Sequence, residues 1–374
     1  MTRLDIATAV ETLSMVTSQR ALVNQSIQIA LNRVHQWFDW PYYLQKDIIQ
    51  TVATYTTGTA KVTNGSYTVT GVGTTFTASM VGMKFRHANE NAFYIISAYV
   101  SATQLTLLDP YQGATDSTGS SYTIYQDEYR LAPDVDKYKK SIQMQNGIAI
   151  QDVPISDFDE LWPTPQSYAD PLMAMMIGTK LDTYNTGTLS GTFGTNVLTG
   201  SGTAWTTVTG LGRMSDIVVN NTTRYTVKSV DSDTQITVYE PLSPTLNAGT
   251  TYKVILNNLV LQYYNIPNIQ ENIFYRYYRQ PEILANDYDV PDMPHMWHWI
   301  LIYGALSFVY LQKGDISKSQ IESETRFMDG LNMMKVKLGS FSNSMVFRRK
   351  SVDRIPRFMD GLEASNYDIK YSRP

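Results

Sequence analysis

Thr70-Gly-Val-Gly-Thr-Thr-Phe-Thr77 and Thr199-Gly-Ser-Gly-Thr-Ala-Trp-Thr206 are two versions of one phrase, and their equivalence decides how the chain is organised. The match continues in order. Tyr94-Ile-Ile-Ser-Ala-Tyr-Val-Ser-Ala-Thr-Gln-Leu-Thr106 aligns with Tyr225-Thr-Val-Lys-Ser-Val-Asp-Ser-Asp-Thr-Gln-Ile-Thr237. Asp109-Pro110 then meets Glu240-Pro241, and Gly119-Ser-Ser-Tyr122 meets Gly249-Thr-Thr-Tyr252. The offset drifts only from 129 to 131 residues, which identifies a duplicated module of about 70 residues, too few copies for a solenoid. The copies are assigned to 56–127 and 186–257.

Both copies are rich in Thr, Gly, Ser and Val, with alternation as in Tyr67-Thr-Val-Thr-Gly71. Short strands separated by turns follow from that pattern. Each copy is expected to make a small all-β barrel or sandwich of about five strands, with Phe76 and Trp205 as equivalent core aromatics. The copies hold roughly three quarters of the Thr in the chain, as strand propensity favours.

Outside the copies the texture changes. Residues 2–40 read as a helix or helical hairpin, with Thr2 and Asp5 as a capping box and an apolar stripe at Val23, Ile27, Leu31, Val34 and Phe38. Trp40-Pro41 ends it, because proline pushes the preceding residue out of the helical region. Ile148–Val153 reads as a strand and 172–177 as a buried run. Segments 259–264 and 273–279 suggest a hairpin turning over 266–271. A buried helix follows at 295–312, then a break at Lys313-Gly-Asp315 and a helix over 317–338. Ser317 and Gln320 offer a second capping box, and Ile321, Met328, Leu331 and Leu338 a stripe.

The fold expected is therefore α+β. Residues 1–55, 128–185 and 258–340 form one discontinuous core of helices with a hairpin or sheet. The two β-modules are inserted in its loops, where longer closure costs little entropy. Residues 341–374 form an extended C-terminal arm. It carries Arg348, Arg349, Lys350, Arg354 and Arg357, with Ile355, Phe358, Met359 and Leu362 too sparse for a core. Such a segment is expected to fold on a partner, with a protein surface favoured over DNA, the alternative being a disordered solvated tail.

Composition narrows the function. The 374 residues carry 30 Lys+Arg against 34 Asp+Glu, a net charge of -4, which argues against a free-standing nucleic-acid binder. Zero Cys removes disulfide scaffolds, thiolate zinc sites and Cys nucleophiles. Charged residues are only 17%, while Tyr numbers 26, a balance suited to strand-rich modules and large protein interfaces. The acidic, h-region-free N-terminus does not read as a signal peptide. The apolar run 296–311 is short of a membrane span and contains His298.

No catalytic set emerges. His295 and His298 lie three apart, as two metal ligands on one helical face would, but no HExxH supplies a third ligand and a base. A helix-start role near Pro294 is the simpler reading, with Asp287, Asp289 and Asp292 before it. Gly71-Val-Gly73 and Gly200-Ser-Gly202 precede no helix, so neither is a dinucleotide fingerprint. Asp157, Asp159 and Glu160 read as a solvated acidic loop. The expectation is no enzyme, no metal and no cofactor.

Trp37-Phe-Asp-Trp-Pro41, Tyr129-Arg-Leu-Ala-Pro133, Tyr278-Arg-Gln-Pro-Glu-Ile-Leu284, Pro294-His-Met-Trp-His298 and Gly304-Ala-Leu306, with the β-modules between them, resemble head-to-tail adaptor (connector, head-completion) proteins of tailed bacteriophages. The two inserted modules depart from the minimal, mostly helical adaptor. The resemblance implies a structural virion protein assembled in the host cytoplasm. It implies a homo-oligomeric ring, commonly a dodecamer, below the portal, continuing the DNA channel without sequence-specific DNA contact and without a membrane. Partners would be the portal protein and tail proteins of nozzle, tube or fibre. In such families a C-terminal arm often clasps the portal, which here selects Arg348, Arg349, Lys350, Arg354, Arg357 and Phe358. The alternative is a tail fibre or surface adhesin whose β-modules bind glycans; a hydrolase with an unrecognised site comes third.

Overall fold

The computed structural model describes residues 1–16, 19–88, 90–161 and 167–339. Helices α1 (Arg3–Ser14) and α2 (Arg20–Trp37) lead into strand β1 (Leu44–Gln50). Seven strands follow: β2 (Thr59–Val62), β3 (Thr68–Val72), β4 (Lys84–His87), β5 (Tyr94–Ser101), β6 (Gln104–Leu107), β7 (Asp116–Ser120) and β8 (Tyr122–Tyr125). Next come β9 (Glu128–Arg130), β10 (Val135–Met144), β11 (Ala149–Asp152), helix α3 (Ile155–Leu161) and β12 (Met173–Tyr184). A second seven comprises β13 (Thr188–Gly191), β14 (Val197–Ser201), β15 (Asp216–Val219), β16 (Thr223–Ser232), β17 (Gln235–Val238), β18 (Leu246–Thr250) and β19 (Tyr252–Tyr264). Strand β20 (Asn272–Arg279), helix α4 (Trp299–Gln312), helix α5 (Ile316–Gln320), a π-helical stretch Ile321–Phe327 and helix α6 (Met328–Gly339) complete it. The chain is α+β.

The two runs of seven strands share one order. In β2–β8 the sequence across the sheet is β7-β2-β3-β6-β5-β4-β8, and in β13–β19 it is β18-β13-β14-β17-β16-β15-β19. Each reads sixth, first, second, fifth, fourth, third, seventh. Register agrees as well: Thr68, Val69 and Thr70 face Thr106, Leu105 and Gln104, while Val197, Leu198 and Thr199 face Thr237, Ile236 and Gln235. Each run encloses its own apolar cluster, around Phe76, Phe85 and Tyr122 in the first and Trp205, Ile217 and Tyr252 in the second. There are seven strands per run where about five were expected.

The shared phrase has a steric reason. A Cβ on Gly71 would meet Thr74 Oγ1 at 2.2 Å and Phe76 Cε2 at 2.9 Å; on Gly200 it would meet Thr203 Oγ1 at 2.2 Å and Trp205 Cη2 at 2.8 Å. The bare glycine lets the aromatic ring turn in, and the threonine hydroxyl then donates to Ala102 O in one run and Asp233 O in the other.

Helices α1, α2, α4 and α6 gather in one layer around a shared apolar cluster, while α3 lies apart against β12. Thr2 and Asp5 form the expected capping box at α1, with Asp5 N donating to Thr2 Oγ1 at 3.2 Å and Thr2 N to Asp5 Oδ2 at 2.8 Å. Val23, Ile27, Leu31 and Val34 are buried on α2 against Ile300, Leu301 and Leu306 of α4. Met15, in the left-handed conformation, separates α1 from α2. No helix among the described residues is long and apolar enough to cross a membrane.

Three local expectations are corrected. Segments 259–264 and 273–279 do not pair as a hairpin. β19 is flanked by β12 on one side and by β15 and β9 on the other, while β20 lies between β1 and β10. Both edges of β19 are taken, so the 265–271 connection crosses to a different part of the sheet. The cap of α5 is Asp315, whose side chain accepts from Lys318 N at 3.2 Å, because Ser317 already lies inside the first turn. Ile321 is exposed rather than part of the stripe. Leu331 is buried and Met328 and Leu338 pack against the core as expected, while the π-helical stretch turns Ile321 outward and Phe327 and Met334 inward.

Candidate functional site

The predicted partner-binding set Arg348, Arg349, Lys350, Arg354, Arg357 and Phe358 lies outside the described residues, so the structure neither gathers nor separates it. The other candidate residues can be located. His295 and His298 have ring centroids 5.0 Å apart. The buried His298 is pinned by main chain, with Nε2 2.9 Å from Met293 O and Nδ1 3.2 Å from Met1 O. Burial, with the nearby N-terminal amine and His295, pushes its pKa down and favours the neutral ring. It makes no side-chain cap on α4; it ties the N-terminus to the helical layer. Among the described residues no cluster of three or more ligating side chains could hold a metal.

The aspartates before α4 are dispersed among separate partners. Asp287 pairs with Arg3 at 2.7 Å, Asp292 accepts from Tyr43 Oη at 2.9 Å, and Asp289 accepts from Asn286 N at 2.6 Å. Asp157, Asp159 and Glu160 are solvated as expected, but on helix α3 rather than a loop.

The strongest polar constellations are two grooves that the residue pattern did not single out. The first, about 450 Å³, lies where the second run of strands meets β1, β20 and the connection 131–134 between β9 and β10. Its centre is Arg213, with Nη1 2.9 Å from Asp134 Oδ2 and 3.1 Å from Gln280 O, and Nε donating to Tyr239 Oη at 3.0 Å. Burial opposes the charge on Arg213, but Tyr239, Asp134 and Glu282 together hold its pKa above the ordinary value. Two buried phenols close the floor. Tyr277 donates to Asp134 Oδ1 and Tyr275 to Asp47 Oδ2, each at 2.9 Å. Burial first, and the facing carboxylates second, raise both phenols far above their usual range, so each remains a protonated donor.

The second groove, about 480 Å³, lies where the first run meets β9, β12 and β19. The buried Lys84 ammonium sits 2.9 Å from Asp127 and 2.8 Å from Glu128. Glu128 also reaches Lys180 at 3.2 Å, and Arg130 reaches Asp182 at 3.2 Å. Burial disfavours the Lys84 charge, but Asp127 and Glu128 outweigh it and raise the pKa. Arg213, Lys84, Lys180 and Arg130 each meet a carboxylate, and Tyr275 and Tyr277 each donate to one. Such an arrangement is suited to holding elements together. The sequence signal was a lone cation beside a turn in a weakly charged strand segment, Lys84 after Gly82 and Arg213 after Gly212. Its partners lie 43 and 79 residues away, beyond the reach of local patterning.

No family model matches the chain, and no curated protein matches it. Among solved structures it is similar to the phage phi92 endosialidase at 12% sequence identity with a TM-score of 0.16. That match covers 62% of this chain and 32% of the endosialidase, so it spans about a third of that protein's length, and likeness at this level carries no argument about activity.

Proposed function

We propose that the chain is a structural virion protein, a head-to-tail adaptor that forms a ring below the portal, joins capsid to tail and continues the DNA channel. In this reading 56–127 and 186–257 are duplicated β-modules seated in loops of one core, which the common strand order and register of the two runs support. They turn outward toward tail proteins, the helical layer forms the ring, and 341–374 engages the portal.

The observation that carries the reading is the outer side of the helical layer. Leu13, Met15, Leu311 and Ile316 are exposed where the end of α1 meets the end of α4, a junction fixed by Tyr310 Oη donating to Leu13 O and Lys313 Nζ to Ser14 O. Met15 is 89% exposed, and Val336 on α6 is 73% exposed. A lone chain gains nothing from such apolar display, whereas a closed ring covers it.

The test is to purify the chain alone and with its portal, then measure mass by light scattering and shape by electron microscopy. A ring is the expected result. A species that stays monomeric under mixing would sink the proposal. Glycan binding that disappears when 186–257 is deleted would favour the adhesin instead.

A further inference from the structure

Arg326-Phe-Met-Asp-Gly-Leu331 recurs without change as Arg357-Phe-Met-Asp-Gly-Leu362, 31 residues later. The first copy is a plug. Phe327 is 1% exposed and lies against Gly304, where a Cβ would come within 2.7 Å of its ring and 2.8 Å of Ala30. The Arg33 guanidinium covers the same ring at 5.1 Å from its centroid. Gly330 permits close approach to α4, since a Cβ there would stand 2.9 Å from both Ile300 and Trp299. Leu331, one turn beyond Phe327, is fully buried. Arg326 lies over Tyr303 and pairs with Glu322 at 3.0 Å. Phe, Gly, Leu and Arg of the hexapeptide each have a defined use in this pocket.

The second copy has the same residues at the same spacing, so a pocket shaped for one accepts the other. We propose that Arg357–Leu362 of one copy of the chain plugs the Gly304 pocket of a second copy, displacing that copy's Arg326–Leu331. The side chains exchanged are the same six, so the pocket loses no contact with the hexapeptide while the two copies become linked. Displacement also gives up the burial of Met334 on α6, which the link between copies must offset. Residues 340–356 supply the reach, up to about 60 Å when extended. The π-helical stretch Ile321–Phe327 is the joint at which the resident plug would lift. The exchange rests on the oligomeric reading above, with Arg357–Leu362 given to a second copy and Arg348–Arg354 left to the portal.

The chain has no Cys, so two introduced cysteines report on a single contact. Lys335 Nζ lies 5.1 Å from the centroid of Phe38, and Asn366 follows the second hexapeptide as Lys335 follows the first. Full-length chains carrying Asn366→Cys and a mass tag are mixed with untagged chains carrying Phe38→Cys and mildly oxidised. The expected result is a disulfide between tagged and untagged copies, reduced several-fold by Phe358→Ala or Leu362→Ala. Trp37→Cys, whose ring Lys335 approaches at 5.2 Å, replaces Phe38→Cys if that variant does not fold. Absence of the disulfide in a sample that light scattering shows to be oligomeric overturns the exchange alone. A monomeric sample overturns it together with the ring. A link formed only when one chain carries both cysteines, or one that survives Phe358→Ala, also overturns it.

Discussion

The indole Nε1 of Trp205 donates to the hydroxyl of Tyr252 at 3.0 Å, and that hydroxyl donates on to Thr186 O at 2.6 Å. In the other run Tyr122 makes the corresponding bond to Thr57 O, also at 2.6 Å, and Phe76 stands where the indole does. The first run thus displays the outcome of a Trp-to-Phe change at this position. Trp205→Phe should cost only about 1–2 kcal/mol, for one hydrogen bond and the lost ring atoms. Trp205→Ala should cost about 3–5 kcal/mol. Urea midpoints at constant slope would separate the two.

Gly187 has φ +81°, and a Cβ there would stand 2.5 Å from Ser201 O; Gly58 has φ +80° and the same clash with Val72 O. Both obstacles are backbone and cannot rotate away. Gly187→Ala should destabilise by at least about 2 kcal/mol, because conformational cost and steric overlap add. Gly194, with φ +77° and nothing within 4 Å, is the control, where Ala should cost only about 1 kcal/mol. Equal shifts in thermal midpoint for the two variants would refute the steric account.

The Lys84 network gives a pH signature. Burial raises the pKa of Glu128, but Lys84 and Lys180 outweigh it and hold the group below its ordinary 4.5. A depressed acid stabilises the fold above its unfolded value and loses that contribution as pH falls through the folded value. Stability should therefore decline on acidification below about pH 4.5, by linkage at this group. Lys84→Met should cost about 3–5 kcal/mol at neutral pH, because Asp127 stays buried without its cation, and should flatten the acid-side slope. Denaturant titrations from pH 3 to 7 on both proteins would check the sign.

What could be read from the sequence divides along the same line as the physics. Duplication states the strand pattern twice, so the equivalence of Phe76 with Trp205 follows from residue order alone. The likeness of the two runs also reaches one or two residues outside them. Tyr55 and Tyr184 cap matching turns, receiving Thr75 N at 2.6 Å and Ala204 N at 3.0 Å, and both lie just outside 56–127 and 186–257. The α2 stripe was legible because helical spacing is local. The partners of β19 and β20 were not, since strand pairing is a long-range choice that alternation alone leaves open. The face of Ile321 was misread because a π-helical stretch leaves no mark in apolar spacing. The two grooves were missed because their ion pairs join distant segments.

The duplicated runs differ most sharply at one buried pair, which supplies the last prediction. His87 at the end of β4 is fully buried, with Nε2 3.4 Å from Asp116 Oδ2 at the start of β7. The matching ends of β15 and β18 carry Val219 and Leu246, buried in the apolar cluster of the second run. Hydrogen bonds from Ser120, Gly119 and Thr118 hold the Asp116 carboxyl well below the usual carboxylate range, so it stays charged. Removing only the imidazole leaves that carboxylate without its facing group, and His87→Val alone should cost about 2–4 kcal/mol. Removing only the carboxylate in Asp116→Leu leaves an imidazole with no partner in the core and should also destabilise. The double change installs the apolar pair that the second run already packs, and replacing both members of a buried polar pair by apolar groups can be nearly neutral or stabilising. The double variant should therefore be more stable than either single one and close to the parent. A double-mutant cycle by urea unfolding measures this directly, and additive losses would show that the two positions do not act as a pair.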